Sequence, residues 1–116
     1  MQLPQAAVLL RIFIGENDKH QGRPLYEAIV LAAREAQLAG ATVIRGPMGF
    51  GASSRLHTAK ILRLSEDLPL VIEIVDSEDK INGFLPTLDQ MMTTSGLVTL
   101  EKVQVFRYGT RTNDQA

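Results

Sequence analysis

Two segments of this sequence, Ala6–Ile14 (AAVLLRIFI) and Leu70–Asp76 (LVIEIVD), are apolar on both faces of a strand, and nothing else in the chain constrains the fold as much. Successive side chains of a strand point to opposite faces. Val8, Leu10, Ile12 and Ile14 therefore share one face, and Leu9, Arg11 and Phe13 the other. In the second segment Val71 and Val75 flank Glu73 as Leu9 and Phe13 flank Arg11. A sheet with one wet face alternates apolar and polar residues; these strands do not. A chain of 116 residues has room for one modest core. Its second sheet face then needs cover as well, and sheet-to-sheet self-association is the simplest way to provide it.

The remaining elements follow from punctuation and period. Gly15 to Arg23 is a polar loop, and Pro24 suits the first position of a helix, where its missing N–H costs nothing. Leu25, Ile29, Ala32/Ala33 and Ala36 recur at helical spacing, with Gly40 as the stop. Thr42 to Arg45 reads as a strand that runs into the Gly-rich segment Gly46–Gly51, and a weaker strand pattern follows from about Leu56 to Leu64. Ser77 is a natural N-cap with Glu78 and Asp79 in the first turn, where the helix dipole favours them. Ile81, Phe84/Leu85, Leu88 and Met91/Met92 form its apolar stripe, Gly96 ends it, and Pro86 is expected to kink or restart it. Val98 to Tyr108 is the last strand. The expected fold class is α+β: a ferredoxin-like βαββαβ sandwich, a four-stranded antiparallel sheet with two helices on one face. Residues 1–109 form this single domain and 110–116 a polar tail.

Composition narrows the function classes. Twelve basic residues against thirteen acidic ones leave a formal charge of −1, too little to drive phosphate-backbone binding or adhesion to an anionic membrane. No partnership with nucleic acid is expected. The absence of cysteine removes disulfides, thiolate nucleophiles and Cys-based metal sites together. The start, Met1 to Ala7, lacks a basic leader region, and no apolar run approaches the ~18 residues of a membrane span. The expectation is a cytoplasmic protein with no direct membrane insertion.

One segment carries most of the chemical interest: Arg45-Gly-Pro-Met-Gly-Phe-Gly-Ala-Ser-Ser-Arg-Leu-His57. Gly46, Gly49 and Gly51 permit close backbone approach. The hydroxyls of Ser53 and Ser54 and the charges of Arg45 and Arg55 can surround a phosphate or carboxylate. Phe50 lies within the same run and His57 closes it. The spacing is not that of a P-loop, and a ligand-free hairpin is the plain alternative. In the first loop Glu16, Asp18 and His20 alternate, a pattern that can hold a divalent ion but more often is merely solvated. Two histidines and no cysteine leave no visible nucleophile–base pair, and Asp76, Glu78 and Asp79 are accounted for by capping. No enzyme is expected.

With these residues in hand, the chain resembles the PII-like signalling superfamily over nearly its whole length. Gly49-Phe-Gly-Ala-Ser-Ser-Arg-Leu-His-Thr58 is similar to the base of the PII T-loop, and Leu70–Asp76 with Ser-Glu-Asp-Lys-Ile81 to the strand and acidic helix start that follow it. Gly22–Glu27, Ala39–Gly46, Leu64–Pro69 and Gly96–Val103 resemble more closely an uncharacterised PII-like "domain of unknown function" family. The resemblance implies a trimer with sheets facing inward and an adenine nucleotide in the inter-subunit cleft under the T-loop base. Gly49, Gly51, Ser53 and Ser54 would line that cleft, with Arg107 on the last strand as phosphate partner. The chain departs from the pattern in lacking the Gly-Asp-Gly-Lys phosphate loop, the long T-loop and its modifiable tyrosine. Uridylylation, 2-oxoglutarate sensing and ATP binding of the PII kind therefore do not transfer, and Lys19 and Arg23 are the basic residues available to replace the lost donors.

The leading expectation is a small regulatory homotrimer that senses a small-molecule effector, an adenine nucleotide being the candidate. It would signal to a target protein, a transporter or an enzyme, through the Gly-rich loop. The alternatives are a divalent-cation or ion-tolerance protein and a ligand-free structural adaptor. No certain cofactor is expected.

Overall fold

The computed structural model describes residues 5–51, 57–58, 67–93 and 96–109. Four strands form the main sheet: β1 (Ala6–Gly15), β4 (Thr42–Arg45), β7 (Pro69–Asp76) and β8 (Leu97–Gln104). Two ribbons of two residues per strand stand apart from it, β2 (Lys19–His20) with β3 (Arg23–Pro24) and β5 (Met48–Gly49) with β6 (His57–Thr58). Helices α1 (Leu25–Glu35) and α2 (Glu78–Met91) complete the chain. The sheet order is β4-β7-β1-β8, with every neighbouring pair antiparallel, so the α+β ferredoxin-like arrangement holds.

The two strands that are apolar on both faces lie side by side at the centre, as their composition requires. Leu10 stands opposite Ile74 and Leu100, and Ile12 opposite Ile72 and Val98. Leu10, Ile12, Ile72 and Ile74 are buried beneath Ile29 and Ala33 of α1 and Ile81, Phe84 and Leu88 of α2. Each such side chain stabilises the fold by about 1.5–3 kcal/mol when taken out of water. On the opposite face Leu9, Phe13, Val71 and Val75 surround an ion pair in which Arg11 Nε lies 2.9 Å from Glu73 Oε2. Arg11 also reaches Glu101 at 3.7 Å. No described element covers this face.

The helix boundaries correct several expectations. Pro24 is the N-cap of α1 rather than its first residue, and the free N–H of Leu25 is satisfied by the Asp18 carbonyl at 2.8 Å. Helix α1 stops before Gly40. Gln37 takes the left-handed conformation, φ 62°, and Leu38 N–H returns to the Ala33 carbonyl while Gln37 N–H returns to Arg34. This is a Schellman motif with glutamine where glycine is favoured. Gln37→Gly is therefore expected to stabilise the protein by about 0.5–1 kcal/mol. The check is a rise in the urea midpoint at constant slope.

In α2 the Ser77 hydroxyl accepts the Lys80 N–H as the N-cap pattern predicts. The helix does not restart at Pro86 but runs through it to Met91. Pro86 cannot donate to the Asn82 carbonyl, but both residues are exposed, so water can take that bond. Gly96 opens β8 instead of closing α2. Strand β8 ends at Gln104, short of Tyr108, with Val105 N–H on the Gln5 carbonyl. Most of the weaker strand read from Leu56 to Leu64, and the tail from 110, lie outside the described residues. The third strand of the sheet is β7, and His57–Thr58 pair instead with Met48–Gly49.

Asp76 continues the inward phase of Leu70, Ile72 and Ile74 and is only 1% exposed. Its Oδ2 accepts the Ala39 N–H at 2.8 Å and its Oδ1 the Ser77 N–H at 2.6 Å. The turn after α1 is tied down twice more, by Lys80 Nζ on the Gln37 carbonyl and the Tyr108 hydroxyl on the Ala39 carbonyl, both at 2.7 Å.

Candidate functional site

Three stretches of chain meet at the end of the sheet where β7 begins. The turn Gly15–Asp18 is closed by Gly15 N–H on Asp18 Oδ2. It is stitched to the entry of β7 by Glu16 N–H on the Leu68 carbonyl and Asn17 N–H on Asp67 Oδ1, both at 2.8 Å. From the other side Gly46 N–H bonds the Pro69 carbonyl at 2.8 Å. The guanidinium of Arg45 forms an ion pair with Glu16, joining the first turn to the Gly-rich segment. That cation is half-exposed, so the pair is partly screened by solvent.

The glycines of this segment serve different ends. A Cβ on Gly46 would stand 3.1 Å from Cγ of Pro69, and one on Gly49 3.2 Å from the same atom. Both glycines let the base of the β5–β6 ribbon close over the proline ring, so their first role is packing. Gly51 has no described atom within 4 Å of such a position. Phe50 is 70% exposed and Met48 is exposed beside it. The segment thus presents a tethered, glycine-lined base followed by an open apolar tip.

The other predicted site residues are distributed as follows. Ser53, Ser54 and Arg55 lie outside the described residues, and His57 is placed by its backbone pairing with Gly49. Arg107 lies beyond the last strand, not on it. Gln104 pairs with Ala6, and Val8 with Asp76, so Arg107 leaves the sheet where β7 finishes. The eight residues of β7 separate that end from Gly46 by roughly 25 Å. One chain does not bring Arg107 to the Gly-rich segment; a site containing both needs two chains. Arg23 lines an outer groove against α1 with His20 and Arg34. The alternating trio Glu16, Asp18 and His20 is dispersed among an ion pair, a turn and that same groove. Among the described residues no group of three or more acidic or histidine side chains is arranged to hold a metal, and no helix is long and apolar enough to cross a membrane.

Sequence reasoning missed the partners that hold the site together. Glu16 entered as a candidate metal ligand and is the counter-ion of Arg45. Pro69, the first residue of β7, is the surface on which two glycines pack. No local signal marks the first. The second was recoverable from a proline at the first residue of a strand, the position at which a sheet tolerates it.

Strand order and helix placement are those of a PII-like fold. The fold matches CPII, a nitrogen regulatory PII-like protein from Thiomonas intermedia K12 solved with ADP, AMP and bicarbonate, with a TM-score of 0.60 at 20% identity, covering 88% of this chain and 90% of that one. It matches a putative PII-like signaling protein from Thermus thermophilus with a TM-score of 0.62 at 18% identity, covering 90% and 93%. Identities this low establish the fold alone. Sequence goes further, for residues 7–105 match DUF190, described as "Uncharacterized ACR". A UPF0166 protein of Aquifex aeolicus is 40% identical over 97 residues, 84% of this chain and 90% of the relative. Another, of Methanocaldococcus jannaschii, is 35% identical over 101 residues, covering 87% and 93%. The chain belongs to the DUF190 (UPF0166) family.

Proposed function

We propose that this chain is a PII-like regulatory protein that binds an adenine nucleotide at the Gly-rich end of the sheet, in a cleft completed by a neighbouring copy. The observation that carries the reading is the convergence of Arg45, the glycine-lined base and the open tip at one sheet end. It gains support from CPII, which shares the fold and was solved with ADP and AMP. Arg45 supplies the charge, and the backbone of the Gly46–Gly51 segment the close approach. Ser53, Ser54, Arg55 and His57 follow on the same stretch of chain. Arg107 reaches the phosphates from the second copy, the arrangement its distance within one chain demands.

The neighbouring copy is itself implied by the uncovered apolar face of the sheet, and a homotrimer with sheets inward covers that face. The role is sensing, in keeping with the PII-like neighbours that share the fold. Binding changes what the Gly-rich segment presents, and that change is what a target protein reads.

The test is a thermal-shift series with AMP, ADP and ATP. A nucleotide at about ten times its Kd adds about 1.4 kcal/mol to the folded state, a rise of several degrees. Arg45→Ala is expected to remove most of the rise. Glu16→Gln, which frees Arg45 from its counter-ion, is expected to enlarge it at equal nucleotide concentration. Flat melting curves with all three nucleotides overturn the reading.

A further inference from the structure

The hairpin β2–β3 looks from the sequence like solvated loop, yet it is built to stand against α1. Gln21 and Gly22 have φ of 52° and 82°, the pair of positive values that a two-residue type I′ turn needs. His20 and Arg23 are cross-strand partners and so project from the same face of the ribbon. That face borders a groove about 910 Å³ in volume, walled on the other side by Leu31 and Arg34 of α1.

Three properties of the groove point to one kind of occupant. Its lining is partly apolar: Ala28, Ala32 and Met91 stand with Leu31, which is 46% exposed, a large side chain on an outward helix position. Its rim is basic: two arginines and a histidine stand against one acid, Glu35, in a chain whose formal charge is −1. Those arginines are also unspent, since among the described residues neither guanidinium makes a hydrogen bond or an ion pair. A loose free anion would use the charges and ignore the leucine. A groove with an apolar lining and a cationic rim instead matches a peptide that carries an apolar side chain between carboxylates.

We infer that the groove between the β2–β3 hairpin and α1 is a docking site for an acidic, leucine-bearing segment of a partner protein. It lies on the helical side of the sheet, away from the uncovered face, so self-association through that face leaves it open. The partner therefore need not compete with the Gly-rich segment, and the nucleotide and the partner occupy separate surfaces.

The experiment uses the whole chain and a short fluorescein-labelled peptide of Glu, Asp and Leu, with a matched peptide carrying Lys for every acid. Anisotropy is expected to show binding of the acidic peptide alone, weakened by salt. The double variant Arg23→Glu, Arg34→Glu is expected to weaken it about tenfold or more, the scale on which desolvated interfacial charges act. Leu31→Ser is expected to weaken it as well. Lys102→Glu, a single reversal of the same sign on β8, should leave it intact, and amide shifts on binding should concentrate in residues 19–35. Circular dichroism of each variant confirms the fold. Equal binding of both peptides, or equal loss in Lys102→Glu, overturns the inference by showing unspecific attraction. Displacement by inorganic pyrophosphate with no effect of Leu31→Ser overturns it in favour of a simple anion site.

Discussion

Asp76→Ala is expected to destabilise the protein by about 2–4 kcal/mol, the cost of stranding two backbone donors in a part-buried setting. The carboxylate is 1% exposed and each oxygen has one partner, Ala39 N–H and Ser77 N–H. The first bond spans 37 residues and fixes the turn that delivers the chain from α1 to β4. The second holds the entry of α2 one residue before its N-cap. Asp76→Asn keeps one acceptor oxygen and replaces the other with a donor, which faces an N–H it cannot satisfy. An intermediate loss is expected for it. Urea titration of both variants decides the matter: a ranking of alanine below asparagine below wild type supports the latch, and an alanine variant as stable as wild type removes it.

That residue also shows how much could be read without a structure. The period-2 phase of Leu70, Ile72 and Ile74 carries straight on to Asp76, which places its side chain on the core face. The pattern was visible, but a helix-start acid beside Glu78 and Asp79 invites the milder explanation of surface capping. Strong periodic signals fared well: both central strands, the stripe of α2 and its Ser77 cap lie where their spacing puts them. Signals from single punctuating residues fared worse. Gly40 suggested the end of α1, yet the left-handed position fell on Gln37, because the returning bonds to Ala33 and Arg34 outweigh the strain of a side chain there.

The parts of the candidate site were legible in composition, and the contacts that join them were not. Arg45 and the three glycines announced themselves, while the ion pair to Glu16 joins residues 29 apart and leaves no trace in either neighbourhood. The hairpin of Lys19 to Pro24 was missed for a similar reason. Its turn is Gln-Gly, not the Asn-Gly or Asp-Gly that flags a type I′ turn, and its strands are two residues long, too short for any period to show.

The largest functional effect is expected from Phe13→Lys, which should leave the fold intact and abolish self-association. Phe13 stands opposite Val71 and Leu97 on the uncovered face, with Leu9 and Val75 further along the same pair of strands. In the proposed trimer these side chains meet their counterparts, and each buried one favours assembly by about 1.5–3 kcal/mol. A lysine there forfeits that gain and brings a charge into a dry interface, where desolvation costs several kcal/mol more. In the isolated chain the same ammonium simply points to water, so the monomer keeps its sheet. Arg11→Ala attacks the same face by a different route. It leaves Glu73 and Glu101 without the guanidinium they share, and two unpaired carboxylates must then enter the interface. Sedimentation velocity separates the outcomes. Wild type sedimenting as a trimer and both variants as folded monomers is the expected result, and the nucleotide response should vanish with the trimer because the cleft needs a second copy. A wild-type chain that stays monomeric at every concentration would remove the assembly and the shared cleft together. A trimer that survives both substitutions would place the interface on some other surface.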